Sequence, residues 1–394
     1  MSNSRVMTKK GVYVPSHQYA GDYAPKRAET VIIPSTTPPV FGSMFTIDYR
    51  ELNVAISNLI LQFNMSAISV MTSGSYVPAQ FLIDHIDYVM NGAIITTLYP
   101  QDQFLQAQLF QTDEKRSIEN VSSGMYNNST QRQTLASNTS YLYFNLRDFF
   151  SQSKSIVLLE NAHNLQLRIF LQPLANVTIG TGTATASINY CNLLVRCIRL
   201  RDEESNLFRS EMSIRKSLNY KFSDVRLQTY TLNSGVTSSS IVLTGITGPV
   251  SHIIFIVRPT ASLTGAGYYA YTPILNYDFL NNAGQNIVGG QPISNSEALL
   301  IIGSQHTQSS YLGETALGAT NNNANVYLYS FSADCIESMN SAVSLGTYNF
   351  TGSEQMQCTF ASALSAPVQI DIYGYVESIV AFTKQSVKKG VYNH

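Results

Sequence analysis

LIDHIDYVMNGAIIT, residues Leu82–Thr96, sets Asn91-Gly92 between two apolar runs. Asn-Gly supplies the two positive-φ positions that a two-residue turn needs, so the run reads as a β-hairpin. Beyond it, Asp102–Arg116 reads as a helix capped by Asp102, with Leu105 and Leu109 one turn apart. Three strand-like segments follow: SYLYFNLRDFF (Ser140–Phe150), NLQLRIFLQ (Asn164–Gln172) and NLLVRCIRL (Asn192–Leu200). In the middle one Leu165, Leu167, Ile169 and Leu171 alternate with Gln166, Arg168, Phe170 and Gln172, the period of a strand with one buried face.

The same order of elements returns later in the chain. HIIFIVRP (His252–Pro259) and ILNYDFLNNAGQNIVG (Ile274–Gly289) precede a short helix expected over Ser294–Ile302. VYLYSFSADCI (Val326–Ile336), MQCTFAS (Met356–Ser362) and QIDIYGYVESIVAF (Gln369–Phe382) then follow as strands. An all-β chain of two consecutive β-sandwiches is therefore expected, with one or two short helices. Eight or so strands per half suit a jelly roll better than an immunoglobulin-type sandwich. The expected division is an extended N-terminal arm over 1–43, a first jelly roll over 44–205, a second over 206–382 and a basic tail over 383–394. The charged stretch Arg201–Arg215 reads as a solvated linker at the boundary. The polar segments Ser117–Thr139 and Gly303–Asn325 read as exposed or intersubunit loops.

The arm ends in the proline-rich PSTTPPVFG (Pro34–Gly42), which reads as extended chain because proline cannot donate to a sheet. It carries Lys9, Lys10, Lys26 and Arg27, and the other end carries Lys384, Lys388 and Lys389. The pentapeptide KKGVY occurs in both, at Lys9–Tyr13 and Lys388–Tyr392. These seven cations are the candidate contacts to a particle interior, an anionic membrane or a neighbouring subunit. Elsewhere charge is sparse. The 394 residues are 12% charged, half the ~25% of an average chain, and 24 Lys+Arg nearly cancel 25 Asp+Glu. A net charge of −1 offers no basic field for nucleic acid as a primary ligand. With 24 Tyr and 18 Phe the chain has material for a large core, and its uncharged polar surface suits coverage by copies of itself.

No residue constellation asks for catalysis, a cofactor or a metal. Asp84-His85-Asp87 is the one cluster of metal-ligand types, and on a strand Asp84 and Asp87 face opposite sides. No Gly-x-Ser-x-Gly elbow, phosphate-binding loop or dinucleotide fingerprint occurs in a strand-to-helix setting. Cys191, Cys197, Cys335 and Cys358 lack metal or redox spacing and read as buried, reduced thiols. MSNSRVMTKK has no apolar signal core, so cytoplasmic synthesis without secretion is expected, and the Asn-x-Ser/Thr triplets are a consequence of composition. No apolar run approaches the ~18 residues of a membrane span.

The segments resemble the double jelly-roll major capsid proteins of icosahedral double-stranded DNA viruses, nearest the large-virus, virophage and polinton-like branch; bacterial-virus members share the fold. The resemblance rests on IDYVMNGAIITTLYPQDQFL (Ile86–Leu105) running into a helix, then LYFNLRDFF (Leu142–Phe150) and LLENAHNLQLRI (Leu158–Ile169). Near the end stand VYLYSFS (Val326–Ser332) and SLGTYNFTG (Ser344–Gly352), with Leu345 where many members carry serine. It implies a structural protein whose two rolls stand side by side, three chains forming a pseudo-hexameric homotrimer. Such trimers tile a virion shell with minor capsid and penton proteins, usually over an internal membrane. A receptor-binding jelly-roll spike and a carbohydrate-active β-sandwich enzyme are the alternatives. A spike would carry a stalk or fibrous repeats, and an enzyme a pair of carboxylates in a cleft.

Overall fold

Asn91 and Gly92 both take positive φ, 49° and 76°, which closes the hairpin at the expected place. The computed structural model describes residues 28–391 except 70–71, 126–128, 154–155, 266–267, 269–270, 302–324 and 335–344. Strands of the first half are β1 (Ala28–Pro34), β2 (Met44–Tyr49), β3 (Val54–Met65), β4 (Thr72–Tyr76), β5 (Ile83–Met90), β6 (Ala93–Leu98), β7 (Ser140–Leu146), β8 (Ile156–Leu158), β9 (Leu165–Leu171), β10 (Thr178–Thr181) and β11 (Ile188–Arg199). The second half holds β12 (Leu218–Leu232), β13 (Ser238–Val242), β14 (Gly248–Pro259), β15 (Asn276–Leu280), β16 (Ile293–Ser294), β17 (Val326–Ser330), β18 (Tyr348–Phe350), β19 (Gln355–Thr359), β20 (Val368–Phe382) and β21 (Val387–Val391).

Four antiparallel sheets carry the fold: β1-β11-β3-β7 and β2-β9-β5-β6 in the first half, β12-β20-β14-β17 and β13-β19-β15-β16 in the second. With the short β4, β8, β10, β18 and β21 set aside, each half has eight strands among the described residues. In both halves the first, eighth, third and sixth form one sheet, and the second, seventh, fourth and fifth the other. That shared connectivity is a jelly roll, made twice. The counterpart of His252–Pro259 is Val54–Met65, a strand that the sequence reading did not single out.

Both ends of the chain differ from the expected arm and tail. Ala28–Pro34 pairs with β11 from Ala28↔Ile198 to Pro34↔Asn192 as the edge strand of the first sheet, so the first roll begins well before residue 44. Its alternating exposure is that of a strand, and the edge position tolerates Pro34. Val387–Val391 likewise pairs with β20 as part of the second roll.

Helices are more numerous than expected: α1 (Pro100–Phe110), α2 (Asp113–Ser122), α3 (Ser129–Ala136), α4 (Phe149–Gln152), α5 (Leu174–Val177), α6 (Asp202–Arg215) and α7 (Asn295–Ile301). Asp102 does not cap α1, because the N-cap is Tyr99 and Pro100 opens the first turn, with Asp102 inside it. The single helix expected over Asp102–Arg116 breaks at Gln111 into α1 and α2. Ser117–Thr139 is mostly helical rather than loop, while residues 303–324 of the other expected loop lie outside the described residues. The linker is α6, with Asp202, Glu203 and Glu204 in its first turn and Arg215 in its last, the arrangement that the helix dipole favours. Arg209 ties α6 to the first roll through Asn53, Glu160 and the Leu159 carbonyl.

Candidate assembly surfaces

The two rolls meet along a seam centred on α1, whose residues Gln101–Phe110 are all buried. Phe104, Leu105 and Leu109 join one core cluster with Ile254, Ile256, Val326, Leu328, Tyr373 and Tyr375 of the second roll. Each such side chain taken fully from water contributes about 1.5–3 kcal/mol. The opposite face of that second-roll sheet, with Ile253, Phe255, Val257 and Ile370, packs inside the second roll itself. The sheet β12-β20-β14-β17 is thus covered on both faces.

Polar groups at the seam pair both across it and within each roll. Tyr375 donates its hydroxyl hydrogen bond to Asp102, which also accepts from Gln106 at 2.7 Å. Burial pushes the Asp102 carboxyl up to about 7, against the pull of those two donors. Gln101 donates to the Tyr271 hydroxyl at 2.8 Å, and Arg258 donates to both Asp371 and Gln101. Thr96 donates to Asp224 at 3.0 Å, Ser153 to the Lys221 carbonyl at 2.8 Å, and His163 meets the Thr383 carbonyl at 2.7 Å. Lys221 and Glu377 form an ion pair at 2.9 Å with both side chains almost wholly out of solvent. Burial lowers the Lys221 ammonium from its ordinary value although Glu377 opposes that shift. A cavity of about 310 Å³ lies along the seam, lined by Phe81, Asp84, Arg258, Tyr268, Asp371 and Tyr373 among others. Its guanidinium is already engaged by Asp371 and Gln101, so the fold itself uses that charge.

The outward face of β1-β11-β3-β7 is a second candidate surface. Registers align Ile32, Leu194, Ile60 and Asn145 in one row, and Pro34, Asn192, Gln62 and Tyr143 in the next. Ile32 is 62% exposed, Tyr141 48% and Tyr190 38%. Uncharged side chains tie the face together: Asn192 to Gln62 at 3.0 Å, Gln62 to Tyr143 at 3.0 Å, and Tyr190 to Tyr141 at 3.0 Å.

Of the seven basic candidates, Lys9, Lys10, Lys26 and Arg27 lie outside the described residues. Lys384 and Lys388 are exposed. Lys389 is committed to the second roll, with its ammonium 2.6 Å from Asp224 and above the Phe222 ring. Asp84 pairs with His85 at 2.8 Å, whereas Asp87 accepts from Thr97. Among the described residues no group of three or more ligand side chains could hold a metal. Cys191, Cys197 and Cys358 are buried free thiols, and Cys335 lies outside the described residues.

No family model matches the sequence, and no curated protein matches it. Among solved structures, VP54 of PBCV-1, fitted into a reconstruction of the virophage Sputnik, superposes with a TM-score of 0.69 at 16% identity, over 94% of this chain and 98% of that one. The Faustovirus major capsid protein matches at 0.66 and 9% identity, over 94% and 91%. The Sputnik virophage structure matches at 0.60 and 12% identity, over 99% and 95%. The chain has the double jelly-roll fold of viral capsid proteins. These likenesses span both rolls and the seam, which places the double jelly roll in one chain as a single unit.

Several residues of the double jelly roll's seam escaped the sequence reading. Lys221, Asp371 and Glu377 each stand with no other charged residue within two positions along their strands. A lone charge in such a run marks a buried pair, since burying it unpaired is costly. Asp102 was read as a cap and is instead a buried acceptor.

Proposed function

We propose that the protein is a major capsid protein whose chains close into a pseudo-hexameric homotrimer and tile an icosahedral virion shell. The observation that carries this reading is the pair of rolls with one connectivity, welded by a buried seam and alike over their full length to viral capsid proteins. A fused pair of similar domains in a three-fold ring presents six similar edges, which is what a hexagonal lattice requires. The role is structural rather than enzymatic, and the place of action is the virion after synthesis in the host cytoplasm.

The same reading assigns the basic ends to the base of the capsomer. Residue 28 opens β1 opposite Ile198, next to α6. The Thr383–Ser386 turn lies beside the start of β12 through Leu218↔Phe382. Residues 1–27 and the exposed Lys384 therefore start from one end of the rolls, where an anionic bilayer or genome would attract them. Each lysine near an anionic bilayer contributes about 1 kcal/mol. Minor capsid and penton proteins complete the proposed partners. Native mass spectrometry of the purified chain tests the assembly: three 43.5 kDa chains give about 130 kDa. A chain that stays single at micromolar concentration, in buffers where it is folded, would contradict it.

A further inference from the structure

The cavity of about 310 Å³ at the seam is built by both rolls: Phe81, Tyr99 and Gln101 come from the first, Arg258, Asp371 and Tyr373 from the second. Its charged groups are matched within the wall. Asp371 accepts from Arg258, from Thr229 at 3.1 Å and from Gln369 at 2.8 Å. Asp84 pairs with His85 and accepts from Gln172 at 2.7 Å. The tyrosine hydroxyls are not matched. Those of Tyr99, Tyr268 and Tyr373, all lining the cavity, form no hydrogen bond among the described residues. The Arg258 Nε is likewise a buried donor without a partner. We infer that this cavity is a binding site for one ring of a neutral sugar, free or at the end of a glycan.

The lining selects that chemistry. A charged ligand would find its counter-charge already engaged, whereas an unpartnered hydroxyl can both donate and accept. An apolar ligand would strip the three hydroxyls of water and offer no hydrogen bond in return, which is costly. Phe81 and Tyr268, stacked with ring centroids 4.4 Å apart, add rigid apolar surface that suits the C–H groups of a sugar ring. The volume lies at the lower end of the roughly 300–1,000 Å³ of small-molecule sites, room for one ring rather than a chain. Thr229, on the cavity wall, is far along β12 from Leu218, about 35 Å from the end of the rolls assigned above to the capsomer base. The cavity therefore belongs to the outer side of the proposed shell. That placement rests on the capsid reading; the sugar assignment does not.

Saturation-transfer difference NMR of the full chain tests it, with glucose, galactose, mannose and N-acetylglucosamine, their methyl glycosides, and the acidic N-acetylneuraminic acid. The expected result is saturation of at least one neutral sugar at millimolar affinity. Equal binding of its methyl glycoside identifies a glycan end as the ligand, and binding of the free sugar alone a soluble sugar. Tyr373→Phe removes one hydroxyl and should weaken binding about tenfold. Thr264→Trp, at an exposed position of the lining, should abolish it. Circular dichroism checks that both variants keep the fold. No saturation by any neutral sugar, tighter binding of the acidic one, or binding untouched in both folded variants would overturn the assignment and leave the capsid reading standing. Assembled particles should bind the same sugar; particles that do not, from chains that do, would overturn the outward placement. A chain that binds sugar but stays single would contradict the capsid reading and leave the sugar site standing.

Discussion

Burial holds the Asp102 carboxyl up to about 7, and that of Asp148 up to about 6, from an ordinary 3.8. Between pH 4 and 7 the native chain keeps protons that the unfolded chain has released. Linkage then makes the contribution of these two groups to stability greatest below about pH 4 and lowers it as pH rises from there to the folded-state values, by roughly 4 kcal/mol for Asp102 alone. Asp102→Asn cannot ionise, so urea denaturation of this variant should lose Asp102's share of the decline between about pH 4 and 7, which includes nearly all of the decline above pH 6. The decline below 6 that Asp148 causes should remain. An unchanged profile would show that Asp102 is not desolvated at the seam. Lys221 and Glu377 supply a second test at this scale. Lys221→Met leaves Glu377 buried without its cation and should cost about 3–5 kcal/mol. Adding Glu377→Leu should recover most of that loss, because an apolar pair of similar volume replaces the ion pair. A double variant as unstable as the single one would mean that the pair matters through shape rather than charge.

Among the elements, β20 is held from several sides. It pairs with β12, β14 and β21, and near its middle Gly374 lies under Ile246. A Cβ built there would stand 2.6 Å from Ile246 Cγ2. Gly374→Ala should therefore destabilise the second roll by about 1–3 kcal/mol, read as a lower urea midpoint with an unchanged slope. How far elements could be read from sequence follows the strength of their local signals. The Asn91-Gly92 hairpin, the alternation in Leu165–Leu171 and the short helix at Asn295–Ile301 were legible because turn chemistry and periodicity are local. Ala28–Pro34 was not, because an edge strand that ends in Pro34, with Pro38 and Pro39 close behind it, looks like extended arm. The helices α2 and α6 were hidden by their polarity, although Thr112 before Asp113-Glu114, and Asp202-Glu203-Glu204 ahead of Arg215, are helix-end signals. The seam was least legible, since the pairing of Asp102 with Tyr375, or of Lys221 with Glu377, joins residues far apart in the chain.

At the scale of the whole molecule, the seam is what turns two small sandwiches into one building block. Its apolar cluster runs from Phe45 in the first roll to Val387 in the second. Its buried polar groups fix the angle between rolls, because a shift would leave them unpaired in a dry interior. A fixed angle is what a repeated contact needs if it is to close after three chains rather than run on as a filament. Sparse charge would serve the same end, since faces that meet in the proposed assembly would have little to desolvate. Electron microscopy of the purified, assembled protein tests this account most directly. It predicts three-fold rings of six lobes, two lobes per chain, with a pseudo-hexagonal outline. Isolated two-lobed particles, or open filaments of the same contact, would contradict it.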